Sequence, residues 1–249
     1  IEKVNCSRAY VIAIDVPSGL DGNHGVFDKD PKLIKAHLTL YLGLPKVGLF
    51  LGRAWNYVGR IEGCDFGIEA SYLEQGKALF HLADEKDMTN YLPPVIRNRH
   101  KYEAGHLHGI AGSEKFAGAS LLASRGSLRA GAGIVKLIHP MGLSHEVFAN
   151  FPELVTLPID FQEEKKSTYT EIGELCNGGG AVFIGPGLGL SQEVQKMVRS
   201  VVPLLIGPLV MDADALTIYG MKPFSLPDQT IMTPHLGELK TLLGLDGDG

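Results

Sequence analysis

Residues 181–189, Ala-Val-Phe-Ile-Gly-Pro-Gly-Leu-Gly, constrain the fold of this chain more than any other stretch. A short apolar run of β type stops at three alternating glycines, and the pattern of an amphipathic helix follows from Gln192 to Val202. Gly185, Gly187 and Gly189 lack the Cβ atoms that would keep an anionic ligand off the backbone. The following helix would turn its positive N-terminal end toward such a ligand. A tight strand-to-helix turn with no ligand would use the same residues, so the neighbouring segments have to decide. Leu209-Val-Met-Asp-Ala-Asp-Ala-Leu216 reads as a buried strand ending in two carboxylates. Ile231-Met-Thr-Pro-His-Leu-Gly-Glu-Leu239 reads as another strand that ends at a helix start. Polar residues thus gather where strands stop, which is the edge of an open α/β sheet where ligands bind. The expectation is that the strand ends at Ile184, Met211 and Met232 lie side by side, with Gly189, Asp212 and His235 facing one cleft. A dinucleotide-binding fingerprint matches only in part, because the third glycine comes too early and Pro186 sits inside the loop.

From Gly105 onward, apolar runs alternate with helical patterns. Strands are expected at His106–Ala111, Gly133–His139 and Glu153–Ile159, with helices at Ala117–Ala130, Leu143–Asn150 and Thr168–Cys176. Such alternation implies a parallel sheet. Residues 1–70 form a separate unit with strands at Tyr10–Ile14, His37–Leu42 and Gly59–Phe66. Three or four strands without covering helices are not expected to close a core. Residues 71–98 read as a linker whose helix stops at Tyr91, ahead of Pro93-Pro94.

The chain has 249 residues, a 45% hydrophobic composition and a net charge of -5. It can bury a sizeable core. The lack of a basic stripe argues against nucleic acid as a partner. No apolar run reaches the length of a membrane span. Cys6, Cys64 and Cys176 are far apart and lack metal spacing, so they read as reduced, mostly buried thiols of a cytoplasmic protein. Both ends look cut, and the chain is expected to be an internal piece of a longer protein.

Three further segments carry polar groups that could act. Asp15-Val-Pro-Ser18 places a carboxylate and a hydroxyl at the end of an apolar strand. It suits a hard cation or a ribose hydroxyl, or equally an Asx-turn that caps the strand. Ala111–Ala119 is a small-residue loop between strand and helix, open to a flat ligand or to close helix–sheet packing. Arg129-Ala-Gly-Ala-Gly133 reads as structural, with Gly131 closing the preceding helix. His235 follows Thr233-Pro234 at a helix start, a position that favours a neutral imidazole able to accept or donate a hydrogen bond. It could also be a plain exposed residue of a first helical turn.

Taken in order, these blocks resemble the family of bifunctional NAD(P)H-hydrate repair enzymes. Ala13-Ile-Asp-Val-Pro-Ser-Gly-Leu-Asp21, Leu44-Pro-Lys-Val-Gly-Leu49 and Tyr57-Val-Gly-Arg-Ile61 look like late segments of its epimerase domain. His100–His106, Gly118–Ala123, Arg129–Val135, Ile184–Gly189, Asp212–Ala215 and Thr233–Glu238 look like successive blocks of its dehydratase domain. The resemblance implies an α/β chain: a remnant of a Rossmann-like epimerase domain over 1–70, then a truncated ribokinase-like parallel-sheet domain over 99–249. It implies hydrated NADH or NADPH as substrate, ADP or ATP with Mg2+ as co-substrate, bound K+, and a homo-oligomer. Carried over by position, Asp15 would contact the hydrate and Ser18 would help hold potassium. Ala119, Gly189 and His235 would line the second hydrate site. The dehydratase would phosphorylate the C6 hydroxyl of the S-hydrate and eliminate phosphate. The catalytic groups of both domains are expected beyond Ile1 and Gly249, so the chain by itself is expected to be inactive. Two other readings stand beside this one. One is a ribokinase-like vitamin-precursor kinase, against which the upstream Asp15-Val-Pro-Ser18 block counts. The other is a nucleotide-binding module without catalysis.

Overall fold

A computed structural model describes residues 1–249 except 30, 76, 77, 79, 93, 144–148, 150, 162–165 and 246–249. The chain divides into two compact units, Ile1–Pro93 and Pro94–Gly249. The expected linker, 71–98, straddles that division.

In the first unit a short helix α1 (Glu2–Asn5) precedes three parallel strands, β1 (Ile12–Ile14), β2 (Leu38–Leu42) and β3 (Arg60–Cys64), in the order β1-β2-β3. Ala13 pairs with Thr39, and Thr39 with Ile61, so these three share one face. Beneath it lie Leu20, Val26, Leu33, Leu49, Ala54 and Val58. A core therefore closes on this face, contrary to expectation. Loops and two 3-10 turns, Val47–Leu49 and Ala54–Asn56, do the work expected of helices. Thr39 is fully buried and donates its hydroxyl to the Val58 carbonyl at 2.7 Å, so its polar atom has a partner. The opposite face is open: Ile12 and Ile14 are 50% and 60% exposed. Two helices, α2 (Ala70–Gln75) and α3 (Glu85–Tyr91), follow the strands. Asp84 caps α3 by accepting from the backbone of Lys86 and Asp87, and the helix stops at Tyr91 as the following prolines require.

The second unit is a six-stranded parallel sheet in the order β6-β5-β4-β7-β8-β9. Its strands are β4 (His106–Ile110), β5 (Ile134–Pro140), β6 (Val155–Ile159), β7 (Ala181–Ile184), β8 (Leu209–Met211) and β9 (Thr230–Met232). Its helices are α4 (Ala117–Arg129), α5 (Lys166–Asn177), α6 (Gln192–Val201), α7 (Asp214–Met221) and α8 (Leu236–Leu242). The strand ends Ile184, Met211 and Met232 are adjacent, as expected: Ile184 pairs with Met211, and Met211 with Met232. Helix expected at Leu143–Asn150 falls mostly outside the described residues.

Both faces of this sheet are covered. Ile110, Ile138, Ile184 and Met211 point to one side, with Ile172 of α5, Met197 and Val198 of α6 and Leu216 of α7 in the same cluster. Ala111, Val135, Leu137 and Phe183 lie on the other side with α4. Parallel strands buried on both faces read as unbroken apolar runs, which is why β7 was legible from its sequence. Helix α4 brings two serines into this packing. Ser120 and Ser124 are buried and donate back along the helix to Ala117 and Ser120 carbonyls, each at 2.8 Å. Gly131, at φ 109, closes α4 just past its C-cap Ala130. Of the three free cysteines only Cys176 is buried; Cys64 is partly exposed and Cys6 exposed, which corrects the expectation of mostly buried thiols. Burial pushes the Cys176 thiol up to about 12.

Candidate functional site

Strand order in the second unit reverses between β4 and β7, since β4 leads outward to β5 and β6 while β7 leads outward to β8 and β9. At such a switch point the loops leaving two neighbouring strands diverge and a crevice opens outside their C-terminal ends. A cleft of about 650 Å3 lies here. Ser113–Phe116 of the β4–α4 loop form one wall, and Leu188–Ser191 of the β7–α6 loop form another. Pro140–Gly142 after β5 and Ile159–Phe161 after β6 complete it.

The glycine loop owes its course to the absence of side chains. Gly185, Gly187 and Gly189 all have positive φ. A Cβ on Gly185 would lie 1.8 Å from the Asp212 carbonyl oxygen, and one on Gly187 2.6 Å from the Phe116 carbonyl oxygen. These two glycines seat the loop against the turn after β8 and against the start of α4. Gly189 differs: nothing lies within 4 Å of the place its Cβ would take, and it lines the cleft.

Charge in the cleft departs from the anion cradle read from the sequence. The Gly189 N–H donates to Asp214 Oδ2 at 2.8 Å and is not offered to a ligand. The start of α6 is already capped, with Ser191 Oγ accepting weakly from the Val194 N–H at 3.4 Å. Glu193 accepts from its own backbone N–H and from Ser191, which holds its carboxyl below the usual range. Among the described residues, Glu114, Asp160, Glu193 and Lys115 are the charged side chains that line the cleft. The Gly189 N–H and the start of α6 are thus served from within the protein, and the described wall residues include more acidic than basic side chains. The arrangement suits a polar, uncharged group better than a phosphate.

Gly189 is in the cleft wall. Ala119 lies in the first turn of α4, partly buried, within reach of Gly187. Asp212 is partly buried at the end of β8. His235 is exposed and caps α8: its Nδ1 accepts from the Gly237 and Glu238 N–H groups at 3.0 and 3.2 Å. Glu238 returns a bond to the His235 N–H at 2.9 Å, completing a capping box. Nδ1 as acceptor leaves Nε2 to carry the proton of the neutral ring. Neither Ala119, Asp212 nor His235 is among the residues lining the cleft with Gly189. Lining residues that the sequence did not single out include Glu114, Asp160 and Glu193; each follows a strand or starts a helix, but no local pattern marks it.

In the first unit, Asp15 stands at the end of β1 with φ 67, an uncommon conformation for a residue with a Cβ. Its Oδ1 accepts from the Leu42 N–H at 3.1 Å and from Lys46 Nζ, and Lys46 also reaches the Leu42 carbonyl at 3.3 Å. The Lys46 ammonium holds the Asp15 carboxyl below the usual carboxylate range. Lys46 went unrecognised in the sequence because Leu44-Pro-Lys-Val-Gly48 reads as an ordinary turn. Ser18 is exposed, and its carbonyl accepts from the Ile34 N–H at 2.9 Å. Among the described residues no three His, Cys, Asp or Glu side chains stand together as a metal cage. Asp15 Oδ1 is thus engaged by Lys46 and Leu42.

Comparison with known proteins follows the same division. A family profile described as NAD(P)H-hydrate dehydratase matches residues 107–248, and one described as YjeF-related protein N-terminus matches 1–48. A bifunctional NAD(P)H-hydrate repair enzyme Nnr from Dictyoglomus turgidum is 30% identical over 248 residues, covering 96% of this chain and 48% of its own. The chain spans about half the length of the relatives it matches. A ribokinase-like superfamily protein from Enterococcus faecalis V583 superposes with a TM-score of 0.58 at 22% identity, over 68% of this chain and 60% of that one. The second unit accordingly has a ribokinase-like fold. An ADP/ATP-dependent NAD(P)H-hydrate dehydratase from Bacillus subtilis, co-crystallised with ATP/Mg2+, superposes with a TM-score of 0.52 at 26% identity, over 65% of this chain and 55% of that one.

Proposed function

We propose, for a chain that belongs to the NAD(P)H-hydrate dehydratase family, that its second unit binds hydrated NADH or NADPH in the switch-point cleft and takes part in nucleotide-dependent dehydration. The observation that carries this reading is the position and charge of the cleft. It opens where strand order reverses, Gly189 gives it a wall without a side chain, and its carboxylates disfavour a phosphate. The hydrated ring, polar and uncharged, is the part of the substrate that such walls accept, and the phosphates would lie away from Glu114, Asp160 and Glu193. ADP or ATP would supply the phosphoryl group that turns the C6 hydroxyl into a leaving group. The cleft carboxylates do not converge on one point among the described residues. Mg2+ would therefore travel on the nucleotide phosphates, as it commonly does.

Within the first unit, Asp15 would meet the hydrate during epimerisation. Lys46 engages Oδ1 and leaves Oδ2 to accept from a substrate hydroxyl. Ser18 would help hold potassium together with further oxygen ligands. Outside the cleft itself, Ala119 and His235 would contact the remainder of the hydrate in the second unit. His235 would do so through Nε2–H, because Nδ1 is committed to capping α8. The whole protein would be a homo-oligomer that repairs damaged nicotinamide cofactor.

The test is turnover. The full-length protein, incubated with S-NADHX and either ADP or ATP, is expected to restore the dihydronicotinamide absorbance of NADH and to release inorganic phosphate in equal amount. Restoration without any nucleotide, or nucleotide hydrolysis unaffected by the hydrate, would overturn the reading.

A further inference from the structure

We propose that Asp214 is a positioning residue: its carboxylate holds the β7–α6 loop in the shape that presents Gly189 to the ligand. The proposal rests on the cleft reading above and deepens it. The sequence set two carboxylates at the end of β8 without distinguishing them. The structure separates their duties. Asp214 Oδ2 accepts from the Gly189 N–H at 2.8 Å, joining the turn after β8 to the turn after β7 across 25 positions of chain. A charged acceptor makes this stronger than a neutral amide–carbonyl bond. The same two turns meet at a second point, where the missing Cβ of Gly185 admits the Asp212 carbonyl oxygen. Gly189 is therefore held from behind, while the side on which its Cβ would stand is open.

Backbone geometry supports the same view. Ala213, between the two aspartates, has φ 49 and ψ -124. Apart from Asp15 it is the one residue other than glycine at positive φ among the described residues. Such a conformation persists only where its surroundings fix it, and it recurs beside functional sites. Here it turns the chain so that Asp214 starts α7 with its carboxylate directed back at the loop. A competing role exists: an acid in the first turn of a helix stabilises that helix through its dipole. Helix stabilisation alone would change folding stability and leave ligand affinity alone.

The experiment compares D214A and D214N with wild type in the full-length protein, reading hydrate dehydration and the hydrogen exchange of the Gly189 amide. Asparagine keeps an oxygen acceptor and removes the charge. In D214A, KM for the hydrate is expected to rise about tenfold with kcat changed much less, and the Gly189 amide to exchange about tenfold faster. D214N should recover most of both. Should D214A fail to fold, D214N still decides, with faster exchange at Gly189 and a KM increase smaller than tenfold. Unchanged exchange, unchanged KM, or equal damage in D214A and D214N would overturn the proposal. A wild-type protein that dehydrates no hydrate would instead sink the cleft reading, and the exchange rates would still show whether Asp214 tethers the loop.

Discussion

Strands β1 and β7 begin from the same idea and end in different surroundings. Each is a short apolar run whose last residue is an isoleucine followed by a turn that contains proline and glycine. Ile184 is completely buried, whereas Ile14 is 60% exposed. β7 is central, paired with β4 and β8, and both faces of its sheet are covered. β1 is an edge strand, and among the described residues one face of its sheet is covered. Apolar composition records that a strand can be buried on both sides. It does not record which side has a partner. The two units nonetheless build their strand-end sites in one way: a carboxylate beyond the strand, next to or at a non-glycine residue with positive φ, is held by a neighbouring turn. Lys46 holds Asp15 in the first unit, and Asp214 itself holds Gly189 in the second.

Truncating the two isoleucines should break the likeness most sharply. Ile184→Ala is expected to cost about 2–5 kcal/mol, as deletions in a filled core do. Ile14→Ala should cost about 0.5 kcal/mol or less, as for an exposed position. Urea unfolding of each variant measures both, and equal costs would mean that the exposed face of β1 is covered in solution.

Two glycines in one loop give the next contrast. Gly185→Ala must place a Cβ against the Asp212 carbonyl at φ 127 and should cost about 3 kcal/mol. Gly189→Ala meets no atom within 4 Å, so its cost is conformational, about 1–2 kcal/mol. The Gly189 change should weaken hydrate binding more than its small loss of stability suggests. Melting curves and binding isotherms on both variants separate the effects.

Acid should find the second unit first. His108 and His139 are buried, with three ring nitrogens between them lacking a partner among the described residues. Burial lowers both imidazoles' affinity for a proton; Lys136 and His106 add to this at His108. The unfolded chain then binds more protons than the folded one, so stability falls as pH drops below about 6.5 and continues to fall toward the folded values. In the first unit the shifted groups are carboxylates. Asp21, with His24 and two backbone N–H groups on it, is lowered to about 2, and Asp15 and Asp87 are lowered as well. Their contribution is present above about 3.9 and disappears as pH falls through the folded values. Amide exchange followed separately in the two units from pH 7 to pH 3 should show β4 and β5 loosening before β1 and β2.

The smallest effect expected concerns His235. His235→Ala removes a helix cap and should cost about 1 kcal/mol of stability. His235→Asn keeps a capping oxygen and should retain most of that stability while losing the ring that would reach the hydrate. A Asn variant with unimpaired hydrate turnover would leave His235 as a cap alone.

What could be read from the sequence follows from where information is local. β7, its glycines and the C-terminal stop of α4 at Gly131 each depend on a few consecutive residues, and each was legible. The tether from Asp214 to Gly189 and the ion pair of Lys46 with Asp15 join positions 25 and 31 residues apart. No local pattern announces such pairs. The first unit's core was missed for a related reason: Leu20, Val26 and Leu33 sit singly in loops and Leu49 ends a single 3-10 turn, without the period of a strand or a longer helix. The alternatives left open at the glycine loop turn on a distant residue too, because the acceptor of the Gly189 N–H, Asp214, lies 25 positions away.

The central claim, that the hydrate lies in the switch-point cleft, is tested most directly by titrating S-NADHX into protein labelled with 15N-glycine. Gly189 and Gly142, which line the cleft, should shift together and saturably. Gly178 and Gly180, just before β7 at the opposite edge of the sheet, should not move. Saturable shifts at Gly178 and Gly180 with Gly189 unmoved would contradict the account.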